Sequence, residues 1–502
     1  MIQISCEKEK NTIKNFWNNI HFHPTDAIED DWGREILDRV AEDGVAKTVR
    51  MYAMLEDIVT MNENGSLEYN FTENDIRLDY IVSKGFDVFL SYNFMPPCIT
   101  ENKGLFQHAN KKGTRYKGKM ICTSRLKDDS LWEEICYRYT EHIVERYGLD
   151  TVKGWHLQCY NEPDIPVFFM TELGELPLNL EERVNEYLRL YRGFTRGVER
   201  VCPALKCGGP ATAGRMSFCE KFLEAVKREG LKFDFFSCHA YGTDPMRLND
   251  GSLLFDTESI IDIIRQYQNL LDLYFPDTEI IVDEWGASCC GYYDREECPK
   301  LLFREGSEFA AYYGKLVAQA IAKELRISKQ MICLSGQHDL PCDFSGCRNF
   351  MGKNLIKKPI YNAYALLSKL GTRCVENETD VDGLTVLSTV NESKNYAVML
   401  AYASEHFDTA LPDVTDVITL TGVNGKKHVK ILCIDNEHTN PYKFSQKMNW
   451  GDQFNNEQIE ILQQVGTMKP ISEYDEVFSG VASIPISFTS DALVLVEIST
   501  SK

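Results

Sequence analysis

Along residues 13–371 two patterns of apolar and polar positions alternate. Short runs of apolar and β-branched residues, bounded by Gly, Pro, Asn or Asp, have the pattern of strands buried on both faces. Longer stretches repeat apolar residues every three to four positions, the pattern of helices with one buried stripe. In 257–274, for example, Ile260, Ile261, Ile264, Tyr267, Leu270 and Leu271 share a face. Strands are predicted into Ile20-His21-Phe22-His23-Pro24, over 47–52 and 87–95, before Glu162, at Gly208-Gly209-Pro210, over 233–241, before Glu284 and over 330–336. Helices are predicted near 34–43, from Thr72 or Asn74 as cap to just before Gly85, and over 130–147, 180–201, 217–228, 257–274, 307–325 and 358–370. This alternation predicts an α/β fold, a (β/α)8 TIM barrel. Asn64-Gly65 marks a hairpin-like insertion, and 98–127 a long functional or mobile loop.

From 372 onward short alternating strands take over, at 384–390, 396–402, 417–420, 429–434, 482–488 and 493–498. They predict an additional C-terminal antiparallel β-sandwich domain. Residues 1–12 form an orphan strand that finds its partners there. The domains are thus 13–371 for the barrel, and 1–12 plus 372–502 for the sandwich.

Composition narrows the function. A formal net charge of −21, spread along the chain, argues against nucleic acid or an anionic membrane as partner. Residues 1–10 lack the apolar core of a signal peptide, and no apolar run reaches membrane-spanning length. The 17 cysteines are odd in number and scattered, with no zinc-like spacing, so reduced packing thiols and a cytoplasmic location are expected.

Two strand ends carry chemistry. Trp155-His156-Leu157-Gln158-Cys159-Tyr160-Asn161-Glu162-Pro163 ends the fourth strand, and Glu279-Ile280-Ile281-Val282-Asp283-Glu284-Trp285-Gly286 the seventh. Strand ends of such a barrel converge on one face. Two carboxyls brought together push their pKa values apart, which supplies the proton donor and the nucleophile that retaining glycoside hydrolysis needs. Glu162 is assigned as general acid/base and Glu284 as nucleophile. Asn161 is aimed at the sugar 2-OH. His239 and Tyr241, two apart on the sixth strand, face the same way, His239 toward the acid/base and Tyr241 toward Glu284. Arg50 is placed to keep Glu284 ionised. Trp285 is either a floor for the sugar or core. Each carboxylate alone also reads as a solvated loop residue, and each His, Tyr or Arg as packing or a structural ion pair.

His21-Phe22-His23 opens a rival reading, because a His-x-His on the first strand is also how a metal-dependent hydrolase barrel begins. His239 and Asp339 are its partial support. The fourth and fifth strands lack the Lys and His such a site needs, so His21 or His23 is assigned to packing or to sugar hydroxyls. No metal or cofactor is expected.

The chain resembles glycoside hydrolase family 39, the β-xylosidases and α-L-iduronidases of the retaining (β/α)8 clan. The resemblance rests on Val49-Arg50, Tyr69-Asn70-Phe71-Thr72, Phe94-Met95-Pro96, Asn161-Glu162-Pro163, Gly208-Gly209-Pro210, His239-Ala240-Tyr241 and Asp283-Glu284-Trp285 in the barrel. It continues through Lys358-Pro359-Ile360-Tyr361-Asn362-Ala363-Tyr364 into Asp435-Asn436-Glu437-His438-Thr439-Asn440 and Trp450-Gly451. It implies the acid/base at Glu162 and the nucleophile at Glu284. Two departures follow. Where family xylosidases tend to have Arg-x-His-Gly, with the His on the sugar, this chain has Arg50-Met51-Tyr52-Ala53. Where they carry an acidic pair beside an aromatic residue, it has Gly336-Gln337-His338-Asp339-Leu340-Pro341. Tyr52, His23 and His338 join the candidate sugar contacts.

The expected activity is a retaining exo-glycosidase, first a β-xylosidase, acting on a small oligosaccharide or glycoside, with a homo-oligomer left open. Lys111, Lys112, Arg115, Lys117 and Lys119 would instead receive a uronic acid in an α-L-iduronidase-like enzyme, or form a solvated loop. A β-galactosidase or an arabinopyranosidase is a further alternative within the class, and a carbohydrate-binding barrel that has lost catalysis a rival outside it, against which the two retained glutamates argue.

Overall fold

The computed structural model of the chain describes residues 1–22, 31–107, 121–244, 255–334, 340–406 and 409–500. After β1 (Ile2–Thr12) come the strands β2 (Asn19–Phe22), β3 (Thr48–Tyr52), β4 (Asp87–Tyr92), β5 (His156–Cys159), β6 (Lys206–Thr212), β7 (Phe235–Thr243), β8 (Glu279–Ser288) and β9 (Ile327–Leu334). Strands β2 to β9 pair in parallel in that order, and β9 closes on β2. β3 and β5 are buried at every position, as strands covered on both faces must be. Outside lie α1 (Asp31–Glu42), α2 (Thr72–Ser83), α3 (Asp129–Tyr147), α4 (Leu180–Val201), α5 (Met216–Glu229), α6 (Glu258–Tyr274), α7 (Ser307–Ala322) and α8 (Pro359–Leu367). Inside, below the C-terminal strand ends, Phe89, Phe235, Ile281 and Met331 form a separate apolar cluster. Gly208 is required there: a Cβ would come 2.3 Å from the Phe235 carbonyl oxygen, so only glycine lets β6 approach β7.

Some local expectations are corrected. Neither Thr72 nor Asn74 caps α2. Asn70 Oδ1 accepts the Thr72 N–H at 3.2 Å. Asn74 is turned inward, donating to Ala53 O at 2.9 Å and accepting from Tyr139 Oη at 2.8 Å. The Asn64-Gly65 turn joins Val59–Met61 to Leu67–Tyr69 in an antiparallel hairpin. Of the stretch 98–127, Phe106–Gln107 pairs with Ile121–Cys122, and Lys111, Lys112, Arg115, Lys117 and Lys119 lie outside the described residues.

The second sheet holds β1 and six C-terminal strands: β10 (Arg373–Thr379), β11 (Leu384–Val390), β12 (Tyr396–Tyr402), β13 (Val414–Ile434), β14 (Pro470–Phe488) and β15 (Ala492–Thr500). Its order is β1-β10-β11-β12-β15-β13-β14, antiparallel throughout except where β1 also pairs with β13. The sheet folds over its own apolar core because β13 is shared. Its residues 418–421 pair with β1, and its residues 427–434 with β15. The separate strands expected at 417–420 and 429–434 are thus one. Gly422 and Gly425, both at positive φ, carry the chain between its halves. Lys426, Lys427 and His428 interrupt the apolar alternation there. They are accommodated across the hairpin, where His428 sits 2.9 Å from both Glu473 and Asp475. Helix α7, buried along most of its length, packs between barrel and sheet. A Cβ at Gly314 would lie 2.3 Å from Leu493 Cδ1. Among the described residues no helix is long and apolar enough to cross a membrane.

Candidate active site

At the C-terminal end of the barrel the polar side chains of five strands, β2, β3, β5, β7 and β8, and of the turn after β5 converge. Beyond β5 the chain turns through Tyr160 and Glu162, both at positive φ, with Glu162 N–H held 3.0 Å from Ala211 O. Such backbone is sparsely populated by non-glycine residues and concentrates at functional sites. It delivers the Glu162 carboxyl to His239, whose Nδ1 lies 2.7 Å from Glu162 Oε1.

On β8 the register against β7 slips between the pairs Cys238–Val282 and His239–Glu284, so Asp283 is an extra residue. This bulge breaks the two-residue alternation and turns two consecutive carboxylates into the barrel. Glu284 Oε1 accepts from Arg50 Nη1 (2.7 Å) and Tyr52 Oη (3.1 Å), and Oε2 from Tyr241 Oη (2.6 Å). Asp283 Oδ2 lies 3.0 Å from Arg50 Nη2, accepts from Gln158 Nε2 at 2.7 Å, and is 3.6 Å from His239 Nε2. One oxygen of Glu162 and one of Glu284 lie within 4.8 Å of each other.

Arg50 is fully buried and joins these groups. Besides both carboxylates it donates to Gln158 Oε1 (2.8 Å) and Asn161 Oδ1 (2.9 Å). Fixing Asn161 by its oxygen leaves its amide N–H₂ to point elsewhere. Burial alone would lower the Arg50 pKa, but Asp283, Tyr52 and Glu284 hold the guanidinium charged.

The two glutamates are driven apart. Burial dominates at Glu162 and, with the nearby negative charge of Glu284, outweighs His239, pushing the carboxyl up to about 7. Burial would raise Glu284 too, but His239, His21 and Arg50 hold it well below the usual carboxylate range. His239 moves against its own burial, raised well above an ordinary imidazole by Glu284, Asp283 and Glu162. One carboxyl therefore keeps its proton near neutrality while its neighbour is ionised.

Trp285 does not serve as a floor for a sugar. The bulge turns it outward, where it is fully buried, stacked on Tyr313 with ring centroids 4.7 Å apart and donating to Tyr364 Oη at 3.0 Å. His21 is also fully buried, with Nδ1 3.0 Å from Arg50 Nη1 and 3.3 Å from Glu284 Oε1. Burial and Arg50 lower its pKa to about 4. In the metal reading a bound cation would face His21, and Arg50, a permanent cation, already stands there. His23, His338 and Asp339 lie outside the described residues. Sequence reasoning missed Gln158 and Asp283. A polar residue inside the apolar run before Glu162 was the signal for the first. The second was hidden because adjacent strand residues ordinarily face opposite ways.

A parallel barrel with paired carboxyls at its strand ends is the frame of a glycoside hydrolase. A family model described as glycosyl hydrolases family 39 matches residues 1–481, and the chain belongs to that family. It is 23% identical over 491 residues to a beta-xylosidase of Caldicellulosiruptor saccharolyticus, covering 93% of this chain and 92% of that one. To an alpha-L-iduronidase of Canis lupus familiaris it is 22% identical over 307 residues, 57% of this chain and 41% of that one. In structure it is similar to a monomeric beta-xylosidase from Caulobacter crescentus CB15, with a TM-score of 0.80 at 19% identity, covering 100% and 99% of the two chains.

Proposed function

We propose that this glycoside hydrolase is a retaining, exo-acting enzyme with Glu162 as acid/base and Glu284 as nucleophile. The observation that carries this reading is the approach of the two carboxyls to within 4.8 Å. A retaining pair stands about 5–5.5 Å apart, whereas an inverting pair leaves about 6.5–9.5 Å for a water. In the first step Glu284, ionised and steadied by Arg50, Tyr52 and Tyr241, attacks the anomeric carbon. Glu162 gives its proton to the departing oxygen. In the second, Glu162 takes a proton from water as that water displaces Glu284. Asn161, with its oxygen on Arg50, offers its N–H to the sugar 2-OH. The exo assignment fits two glutamate side chains only 12% and 7% exposed, which a chain end reaches more readily than a chain interior.

The first substrate is a β-xyloside, because the beta-xylosidase relative matches over nearly its whole length and the alpha-L-iduronidase over less than half. A cytoplasmic location fits 17 cysteines that all remain free thiols. Wild type and Glu284→Ala are assayed on aryl xyloside, galactoside, glucoside, arabinopyranoside and iduronide, with and without azide. The expected result is xyloside cleavage by the wild type, loss of about four orders of magnitude or more in the variant, and azide rescue giving a glycosyl azide of inverted configuration. Full activity of Glu284→Ala overturns the mechanism. Preference for another sugar overturns only the substrate.

A further inference from the structure

The loop after β8 holds two adjacent thiols that the mechanism does not use. Cys289 and Cys290 follow the last residue of the nucleophile strand, are half-buried, and bring their sulfurs to 3.7 Å. Two buried arginines frame them. Arg304 Nη2 donates to Ser288 Oγ (2.6 Å) and Cys289 O (3.0 Å). Arg348 Nη1 donates to Ser288 O at 2.5 Å, and a Cβ on Gly291 would lie 2.8 Å from Arg348 Nη2. Cys290 is itself in the left-handed region, at φ 52.

We propose that Cys289 and Cys290 form a peroxide-reactive dithiol, with Cys290 the attacking thiolate and Cys289 the resolving thiol. The hydrogen bond it shares with Cys289, then Tyr292, Arg304 and Arg348, work against burial to bring Cys290 down to about 7. Cys289 is pushed up, first by its bond to Cys290 and then by burial. Burial also raises the half-buried lone thiols Cys98 and Cys374. A low-pKa, accessible thiolate beside a second thiol is the arrangement that peroxide selects.

The chemistry balances with hydrogen peroxide as the oxidant. The Cys290 thiolate attacks one peroxide oxygen, the O–O bond breaks, and hydroxide leaves and takes a proton, giving a sulfenic acid and water. The Cys289 sulfur then attacks the Cys290 sulfur, the S–O bond breaks, and a second water leaves. Two thiols lose two electrons and two protons to one peroxide. Adjacent Cα atoms stand about 3.8 Å apart, less than the roughly 4.4–6.8 Å of ordinary disulfides, so the product ring is strained and readily reduced.

The site is wired to the catalytic strand. The Arg348 guanidinium lies 5.1 Å from the Tyr241 ring centroid, and Tyr241 donates to Glu284. Closing the ring moves the backbone that Arg304 and Arg348 hold, and with it Tyr241. This last link rests on the proposed role of Glu284; the dithiol chemistry does not.

The test exposes the full-length protein to dilute hydrogen peroxide and follows the peptide containing residues 289–290 by mass spectrometry. The expected result is loss of two hydrogens from that peptide before Cys98 or Cys374 reacts, reversed by dithiothreitol. Glycosidase activity is lost and regained in step. Cys290→Ser slows the peroxide reaction by about tenfold, and Cys289→Ser stops at a sulfenic acid that dimedone traps. A peptide that stays reduced while lone thiols oxidise overturns the proposal. So does a Cys290→Ser variant that consumes peroxide at the wild-type rate. The mass readout stands whichever sugar is cleaved.

Discussion

Tyr52 Oη lies 3.1 Å from Glu284 Oε1, the oxygen that also accepts from Arg50. With Tyr241 on Oε2, the carboxylate receives phenol hydrogen bonds on both oxygens. Hydrogen bonds to the charged form favour ionisation. Tyr52→Phe therefore raises the pKa of Glu284, the proposed nucleophile, and moves the acid limb of kcat/KM to higher pH. A hydrogen bond to a charged group contributes about 1.5–3 kcal/mol, so kcat/KM falls by about ten- to a hundredfold. An acid limb that stays in place would show that Tyr52 does not act on Glu284.

In the proposed mechanism Glu162 must carry a proton for the first chemical step. Its carboxyl is pushed up to about 7, mainly by burial, so the proton is in place below that value and activity is lost as pH rises through it. Glu162→Gln removes this alkaline limb. On a glycoside whose leaving group needs no proton, formation of the glycosyl-enzyme survives and its hydrolysis becomes slow. A pH–rate profile of kcat/KM with an alkaline limb unchanged in Glu162→Gln would assign the proton to another group.

Trp285 faces away from the site, stacked on Tyr313. Trp285→Phe gives up the 3.0 Å bond to Tyr364 and part of the stacked area, and costs about 1–3 kcal/mol. The outcome is a melting temperature lowered by several degrees with KM for the sugar within about twofold of wild type. A large rise in KM with unchanged melting temperature would return Trp285 to the sugar.

Glu305 and Lys358 form an ion pair of 2.7 Å with both side chains fully buried. Glu305 also accepts from Gly346 N–H, tying the residues around 346 to the start of α8. Lys358→Met leaves a carboxylate without its cation and costs about 3–5 kcal/mol. Adding Glu305→Gln removes the stranded charge and restores most of the lost thermal stability. Strictly additive losses in the double variant would show that the two residues do not compensate each other.

The barrel was legible because its strands are buried on both faces, so apolar runs and 3.6-residue stripes alternate without ambiguity. Glu162 and Glu284 stood out as carboxylates at the ends of such runs. The failures have local causes. A one-residue bulge at Asp283 reversed the facing of everything after it, hiding Asp283 and sending Trp285 outward. The long β13 was divided at Lys426-Lys427-His428, where Lys426 and His428 are paired with Glu473 and Asp475 on a strand some 50 residues later. Asn74 has the makings of a cap, yet the core claimed it through Ala53 and Tyr139.

The pairing of β1 sets an order of events in synthesis. Ile2 meets Thr379 on one side and Ile418 on the other, so β1 finds both neighbours only after the whole barrel that follows it has been synthesised. At about 5–20 residues per second this wait lasts roughly 20–85 s. Meanwhile Ile2, Ile4 and Cys6, all destined for the core, are exposed on an unpaired strand. The alternating Glu7, Lys8, Glu9 and Lys10 that follow are poor templates for pairing with another chain. They act as a charged guard on the strand until its partners arrive.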